Sequence, residues 1–363
     1  MTSKERVLTA LEHKEPDRIP ITASFTPETA LRLENFLGLN RDEQITLHGG
    51  GYELDRILGV DILQTAVGVA ANYYLNYEEY TDNWGITWKR IYYNTKNGKG
   101  SYTEMVGHPL ADNSSINSYI PPDPLDEINY TQAKKLLKDY GKEYAIMGVV
   151  VATIFESAWY LRGSIDKLLL DFVTNEELAN KILDIPMNYH LEAGKKLIDM
   201  GCDLIWTGDD VGMQKNLIMS PAMWRKFLKH RMAKMYSEFR KINKNIKIAY
   251  HSDGFIEPII DDFVEIGLDI LNPLQPQAIN ISSLKKRYGK NLSFWGGIDI
   301  QKTLPFGTVE DITNEVKKRI RELGEGGGYI IAPSHHIQLD TSVENIMAFF
   351  DAAKKYGKYP LNF

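Results

Sequence analysis

The chain has 363 residues, of which 43% are hydrophobic, 25% charged and 11% aromatic, a globular composition that excludes a disordered or collagen-like chain. With 42 Lys and Arg against 48 Asp and Glu the formal net charge is −6, so nothing draws the chain to nucleic acid or to an anionic membrane. One cysteine, Cys202, excludes an intramolecular disulfide and a Cys-pair zinc site. No run nears the ~18 apolar residues that span a bilayer, and the charged opening Met1-Thr-Ser-Lys-Glu-Arg lacks a secretory pattern. The expected setting is cytoplasmic.

In chain order, Thr2 and Glu5 have capping-box spacing before the apolar stripe Val7, Leu8 and Leu11, and Pro16 ends the pattern. Short apolar runs then recur at Ile19–Ala23, Ile62–Val67, Ala145–Val151, Leu204–Thr207, Ile246–Tyr250, Ile270–Asn272, Leu292–Trp295 and Tyr329–Ala332. From the third run onward most gaps carry helix signatures. Ser220-Pro221 opens one, Thr308 and Asp311 another, and Thr341 and Glu344 the last; Gly201, Gly267, Gly324 and Gly357 stand where C-caps belong. Alternating strands and helices predict parallel βαβ units. The expected fold is a closed (β/α)8 barrel, a TIM barrel spanning residues 1–363 as one domain, with an open doubly wound sheet as the alternative.

One stretch breaks the alternation. Ile86–Tyr93, then Asn97-Gly98-Lys99-Gly100, then Ser101–Val106 predict a β-hairpin. Residues from about 72 to 125 are expected to be an insertion between the second and third strands, covering one barrel mouth. Tyr73, Tyr74, Trp84 and Trp88 are either pocket walls for a flat ligand or ordinary packing.

A barrel's chemistry sits at the C-terminal ends of its strands, and polar residues gather at those positions. They include Glu156 and Tyr160 after the third run, Asp209, Asp210 and Gln214 after the fourth, and His251 and Asp253 after the fifth. Gln275, Asp299, and the pair His335 and His336 follow the sixth, seventh and eighth. His251 and Asp253 suit a metal, a His as ligand and a carboxylate as ligand or orienter; alternatively Asp253 caps the next helix. Asp209 and Asp210 are candidates for a general base or metal ligand, or else braces for their loop. Adjacent side chains of an extended segment point opposite ways, so one of His335 and His336 should face the mouth. Gly324-Glu-Gly326-Gly327-Gly328 precedes a strand and fails the phosphate-loop context.

These residues together resemble the uroporphyrinogen decarboxylase superfamily, and most closely its corrinoid-dependent methyltransferase branch. The resemblance covers nearly the whole chain. It is carried by Ser3-Lys-Glu-Arg-Val-Leu, His13–Pro20, Gly208-Asp209-Asp210, Met219-Ser-Pro221, His251-Ser-Asp-Gly254, Asp269–Pro273, Gly296-Gly-Ile-Asp299 and Ala332–Gln338. It implies a barrel with its site at the C-terminal mouth, and methyl transfer between a small methylated substrate, such as a methoxylated aromatic or a methylamine, and a corrinoid protein. In that branch zinc is held by a His-x-Cys pair and a later Cys. Here His251 matches the first ligand, Asp253 stands where the second would be, and His335 falls near the third. The set departs from the family's thiolates but remains chemically suited to zinc. By their places past the strand ends, His251, Asp209, Asp210 and Glu156 are the expected catalytic groups, and Gln214, Gln275, Asp299 and Tyr160 the expected substrate contacts. The arginine-rich segment with which true uroporphyrinogen decarboxylases grip their substrate is absent from Ile19–Thr26, and no Asp-x-His-x-x-Gly corrinoid motif occurs. Cobalt is therefore expected on a partner protein. Uroporphyrinogen decarboxylation, or a non-catalytic small-molecule-binding barrel, is the alternative.

Overall fold

The computed structural model describes residues 1–40, 50–72 and 77–362. Its main body is a parallel sheet of seven strands: β1 (Ile62–Ala66), β5 (Ala145–Val149), β6 (Leu204–Gly208), β7 (Lys247–His251), β8 (Ile270–Leu274), β9 (Ser293–Ile298) and β10 (Tyr329–Pro333). Each strand pairs with the next in that order.

The first apolar run, Ile19–Ala23, takes the eighth position with a single bridge, Ile21 to Ile331 in β10. Toward β1 it meets a side chain in place of a ladder: the Ile21 N–H donates to Asp61 Oδ2 at 2.8 Å, while the Asp61 N–H donates to the Ile21 carbonyl. Pro20 brings no N–H, so the ladder cannot extend. The sheet thus curls around as an α/β barrel. Val7, Leu11, Ile62, Met147, Leu204, Ile270, Trp295 and Ile330 fill its interior, and helices cover the outside.

Local signals locate the helix ends. Thr2 and Glu5 form a capping box on Ser3–Leu11, and Thr308 and Asp311 another on Val309–Leu323. Ser220 caps Pro221–Trp224. The last helix, Val343–Tyr356, is capped by Ser342 instead of Thr341, one residue later than expected. Among the described residues no helix is long and apolar enough to cross a membrane.

Between β1 and β5 in the chain stands an antiparallel sheet of β2 (Glu79–Thr81), β3 (Thr87–Thr95) and β4 (Gly98–Gly107). The β3–β4 hairpin turns on Lys96-Asn97, one residue earlier than the expected Asn97-Gly98, and pairs Thr95 with Gly98. Trp84 and Trp88 are buried within this region, whereas Tyr73 and Tyr74 lie outside the described residues.

Candidate active site

The C-terminal ends of the strands open into a cavity of about 630 Å³. Its floor is apolar, made by inward residues of alternate strand positions such as Ile62, Met147, Val149, Trp206 and Trp295. The hairpin sheet contributes Trp88, Tyr93, Tyr102 and Met105, and Glu156, Tyr160, Asp210, His251, His335 and His336 supply the chemistry around the rim. No Lys or Arg lines it among the described residues.

His251 is the last residue of β7 and is fixed from two sides. Its ring lies nearly parallel to Trp206, with centroids 5.6 Å apart, and Trp206 stands perpendicular to Trp295 at 4.8 Å. The Asn272 amide donates to the Trp295 carbonyl at 3.4 Å, which leaves Asn272 Oδ1 to accept the His251 Nδ1–H at 2.7 Å. That tautomer leaves the Nε2 lone pair of His251 free for a metal or a proton. Gly208 permits the close β6–β7 approach: a Cβ there would lie 2.6 Å from the His251 carbonyl oxygen. Gly254, at φ +81°, packs backbone to backbone against Gly212 and Met213, so the loops carrying Asp210 and Asp253 interlock.

Asp210 Oδ1 accepts the Asp253 N–H at 2.8 Å and lies 3.8 Å from His251 Nε2. Asp253 Oδ2 is 3.9 Å from His335 Nε2, and one ligand atom from each of His251, Asp253 and His335 falls within 4.8 Å of the others. Asp253 does not cap the following helix. Burial raises its carboxyl above the usual range against the pull of His335 and His251, and burial lowers His335. His335 and His336 both line the cavity, because the chain bends after β10 and does not continue extended.

The two neighbouring acids of the β6 loop have different surroundings. Asp209 is buried and turned away from the cavity: its Oδ1 accepts the N–H groups of Ile154 and Glu156, both at 2.9 Å. It thereby braces the turn after β5, where Ala152 is held at φ +57°, an uncommon conformation for a residue with a side chain. Burial pushes the Asp209 carboxyl up to about 7. Asp210 faces the cavity. Glu156, between them, is raised well above the carboxylate range by burial and by Asp210 and Asp209.

Of the four expected substrate contacts only Tyr160 lines the cavity. Gln214 donates to the Gln277 carbonyl at 2.9 Å, and Gln275 accepts the Gly254 N–H at 2.9 Å. Buried Asp299 accepts the Gln301 N–H at 2.7 Å and the Gln277 amide at 2.8 Å. Polar groups next to a strand end satisfy loop backbone first, and these three are used in that way. Sequence reasoning passed over Asn272, which sets the His251 tautomer, and the Trp206–Trp295 floor. Their signal was present: each occupies an inward position of an otherwise apolar strand.

The family model described as uroporphyrinogen decarboxylase (URO-D) matches residues 94–356. The chain belongs to the uroporphyrinogen decarboxylase family. A methylcobamide:CoM methyltransferase, MtaA, from Methanosarcina barkeri is 24% identical, the match covering 98% of each chain. A uroporphyrinogen decarboxylase from Pseudoalteromonas atlantica is 22% identical over 72% of this chain and 74% of its own. Among solved structures, a methyltransferase from Methanosarcina mazei superposes with a TM-score of 0.73 at 21% identity, covering 98% of this chain and 99% of that one. The two share a fold. The protein is an enzyme of this family.

Proposed function

We propose that the protein transfers a methyl group between a small methylated substrate and the cobalt of a corrinoid carried by a partner protein. The observation that carries this reading is the cavity itself: an apolar, Trp-floored mouth, ringed by carboxyl and imidazole groups and without Lys or Arg among the described lining residues. A polycarboxylate such as uroporphyrinogen would find no cations there to pair with its charges, whereas a small methyl donor meets apolar floor and polar rim together. The full-length similarity to a methylcobamide:CoM methyltransferase supports a corrinoid as the other reactant. Co(I) demands a reducing compartment, so a cytoplasmic location accompanies the reading.

His251, Asp253 and His335 would hold a zinc ion. The donor set, two imidazoles and a carboxylate, suits zinc with one position left open, and His251 already presents Nε2. His335 needs a change, because its Nδ1 accepts the His336 N–H at 2.8 Å and the neutral ring then keeps its proton on Nε2. When bound, zinc would supply Lewis-acid polarisation of a leaving or attacking heteroatom. The chain's own residues do the rest. Asn272 holds the His251 ring and tautomer, Asp210 fixes the Asp253 backbone and faces the substrate, and Asp209 acts at one remove by keeping the Glu156 turn in place.

Metal analysis and methyl transfer test the reading together. Protein purified without added zinc should carry about one zinc, His251→Ala should lose most of it, and wild type should methylate a Co(I) corrinoid protein from a methylated donor, seen in the cobalt absorbance. Equal zinc in wild type and His251→Ala would remove the metal assignment. Release of carbon dioxide from a porphyrinogen, with no cobalt methylation from any donor, would replace methyl transfer by decarboxylation.

A further inference from the structure

Glu156 and Tyr160 share the cavity wall, and the reading above gives their side chains no task. They stand four residues apart on the Phe155–Arg162 helix, hence on one face of it. The Tyr160 hydroxyl lies 3.0 Å from Glu156 Oε1, and Glu156 Oε2 accepts the Asp210 N–H at 3.1 Å. The pair is rigidly set. Trp159 stands perpendicular to the Tyr160 ring at 4.3 Å, Trp88 meets it edge-on at 6.2 Å, and Asp209 holds the Glu156 backbone N–H. Among the described residues the titratable groups facing Glu156 are Asp209 and Asp210 from the β6 loop, Tyr250 from β7 and Tyr160 from its own helix, none of them a cation. Desolvation and the two neighbouring carboxyls both favour the protonated form of Glu156.

We propose that Tyr160 and Glu156 form a proton relay to the leaving atom of the methyl donor, with the Tyr160 hydroxyl as the terminal donor and Glu156 as the group that positions and recharges it. The inference rests on the methyl-transfer reading and narrows its substrate to a methyl ether. In the step, the lone pair of Co(I) forms the carbon–cobalt bond while the methyl–oxygen bond breaks and its electron pair stays on oxygen. That oxygen takes the Tyr160 proton, Tyr160 takes the Glu156 proton, and Glu156 remains ionised until solvent reprotonates it. A methylated ammonium leaves as a neutral amine and requires no such donor. An ether oxygen does, and the more basic the departing oxygen, the more the donor contributes.

The test compares 2-methoxyphenol with 4-nitromethoxybenzene, whose departing phenolate is stable without a proton, both with a Co(I) corrinoid protein as acceptor. Tyr160→Phe and Glu156→Gln should each lower kcat on 2-methoxyphenol about 10²- to 10³-fold with KM within about twofold. On the nitro ether the loss should shrink to less than about tenfold, and Glu156→Gln should remove the alkaline fall of the kcat profile. Equal losses on the two ethers with an unchanged pH profile would reduce the pair to a structural role and overturn the relay. A second readout needs no turnover: the infrared difference between wild type and Glu156→Gln at neutral pH should contain the carbonyl band of one protonated carboxylic acid. A difference without that band overturns the relay even where methyl transfer proceeds. A band present with no cobalt methylation from any donor fells the methyl-transfer reading, and the relay with it.

Discussion

Two groups of buried acids, at opposite ends of the barrel, are treated in opposite ways. At the N-terminal end, Asp61 is fully buried yet saturated with donors: Arg6 Nη1 at 2.8 Å, Arg18 Nη1 at 2.7 Å, the Ser3 hydroxyl at 2.8 Å and the Ile21 N–H at 2.8 Å. At the mouth, Asp209 and Glu156 accept backbone N–H groups, Glu156 shares a hydrogen bond with the Tyr160 hydroxyl, and no guanidinium or ammonium pairs with either among the described residues. Half-exposed Asp17, which shares Arg6 with Asp61, is held down to about 2 by that guanidinium, while burial pushes Asp209 up to about 7. Burial therefore does not by itself separate a structural acid from a functional one. A missing countercharge singles out candidates for function, and their partners then divide them: Asp209 is spent on the Ile154 and Glu156 N–H groups, whereas Glu156 lines the cavity.

The largest effect expected from this contrast is at Asp61. Asp61→Ala would leave the guanidiniums of Arg6 and Arg18 facing each other across a buried space, and breaking such a pair costs about 3–5 kcal/mol. Denaturant unfolding should show that loss, with the remaining folded protein still binding small ligands at the other end. A change below about 1 kcal/mol would mean that this network is as replaceable as a surface ion pair.

A smaller effect is expected at Asp209. Asp209→Ala leaves the N–H groups of Ile154 and Glu156 without their acceptor, at roughly 1–3 kcal/mol, and relaxes the Ala152 turn. The pH dependence carries the sign. Asp209 binds its proton more tightly folded than unfolded, so its contribution to stability is complete below about pH 4 and is lost as pH rises through about 7. Asp17 has the opposite linkage, contributing above about pH 4 and losing that contribution as pH falls toward 2. Melting temperatures across pH 2–8 should therefore respond differently to two substitutions. Asp209→Asn should flatten the decline between pH 4 and 7, and Asp17→Asn should flatten the acid limb below 4. If Asp209→Asn leaves the neutral limb unchanged, the two ends of the barrel do not differ in the way described.

The sequence disclosed the barrel more fully than the site. Seven of the eight apolar runs are strands of the parallel sheet, because a strand buried on both faces writes itself as a continuous apolar run. Ile19–Ala23 occupies its place in the ring but forms one bridge, since its β1-side partner is a side chain, Asp61, that lies far off in sequence. At the mouth the three residues that the family resemblance suggested as ligands, His251, Asp253 and His335, lie close together in space. The order of strand ends could not tell which of two adjacent acids points inward. Asp209 and Asp210 are chemically alike, and the choice depends on the amides of Ile154 and Glu156, delivered by the β5 turn. Gln275 and Asp299 raise the same difficulty: Gln275 accepts a backbone N–H of the neighbouring β7 loop, and Asp299 accepts one of its own loop and the Gln277 side-chain amide.

The smallest stability change is expected at Asp210, and it gives the sharpest contrast within the mouth. Its side chain is 40% exposed, and its acceptor role toward the Asp253 N–H can be taken over by the carbonyl oxygen of an asparagine. Asp210→Asn should thus shift unfolding by less than about 0.5 kcal/mol, against the larger loss for its neighbour Asp209→Ala. The electrostatic change is not small. Removing this carboxylate takes one negative charge from beside His251 Nε2, 3.8 Å away, and from beside Glu156, whose proton Asp210 helps to hold. Zinc affinity should fall, and the alkaline limb of the kcat profile should move to lower pH as Glu156 ionises more readily. Stability, metal titration and a pH profile on the same variant would separate the two acids. An Asp210→Asn protein as destabilised as Asp209→Ala, with metal binding and pH profile intact, would make both carboxylates braces of the same loop and leave His251, Asp253 and His335 to act without them.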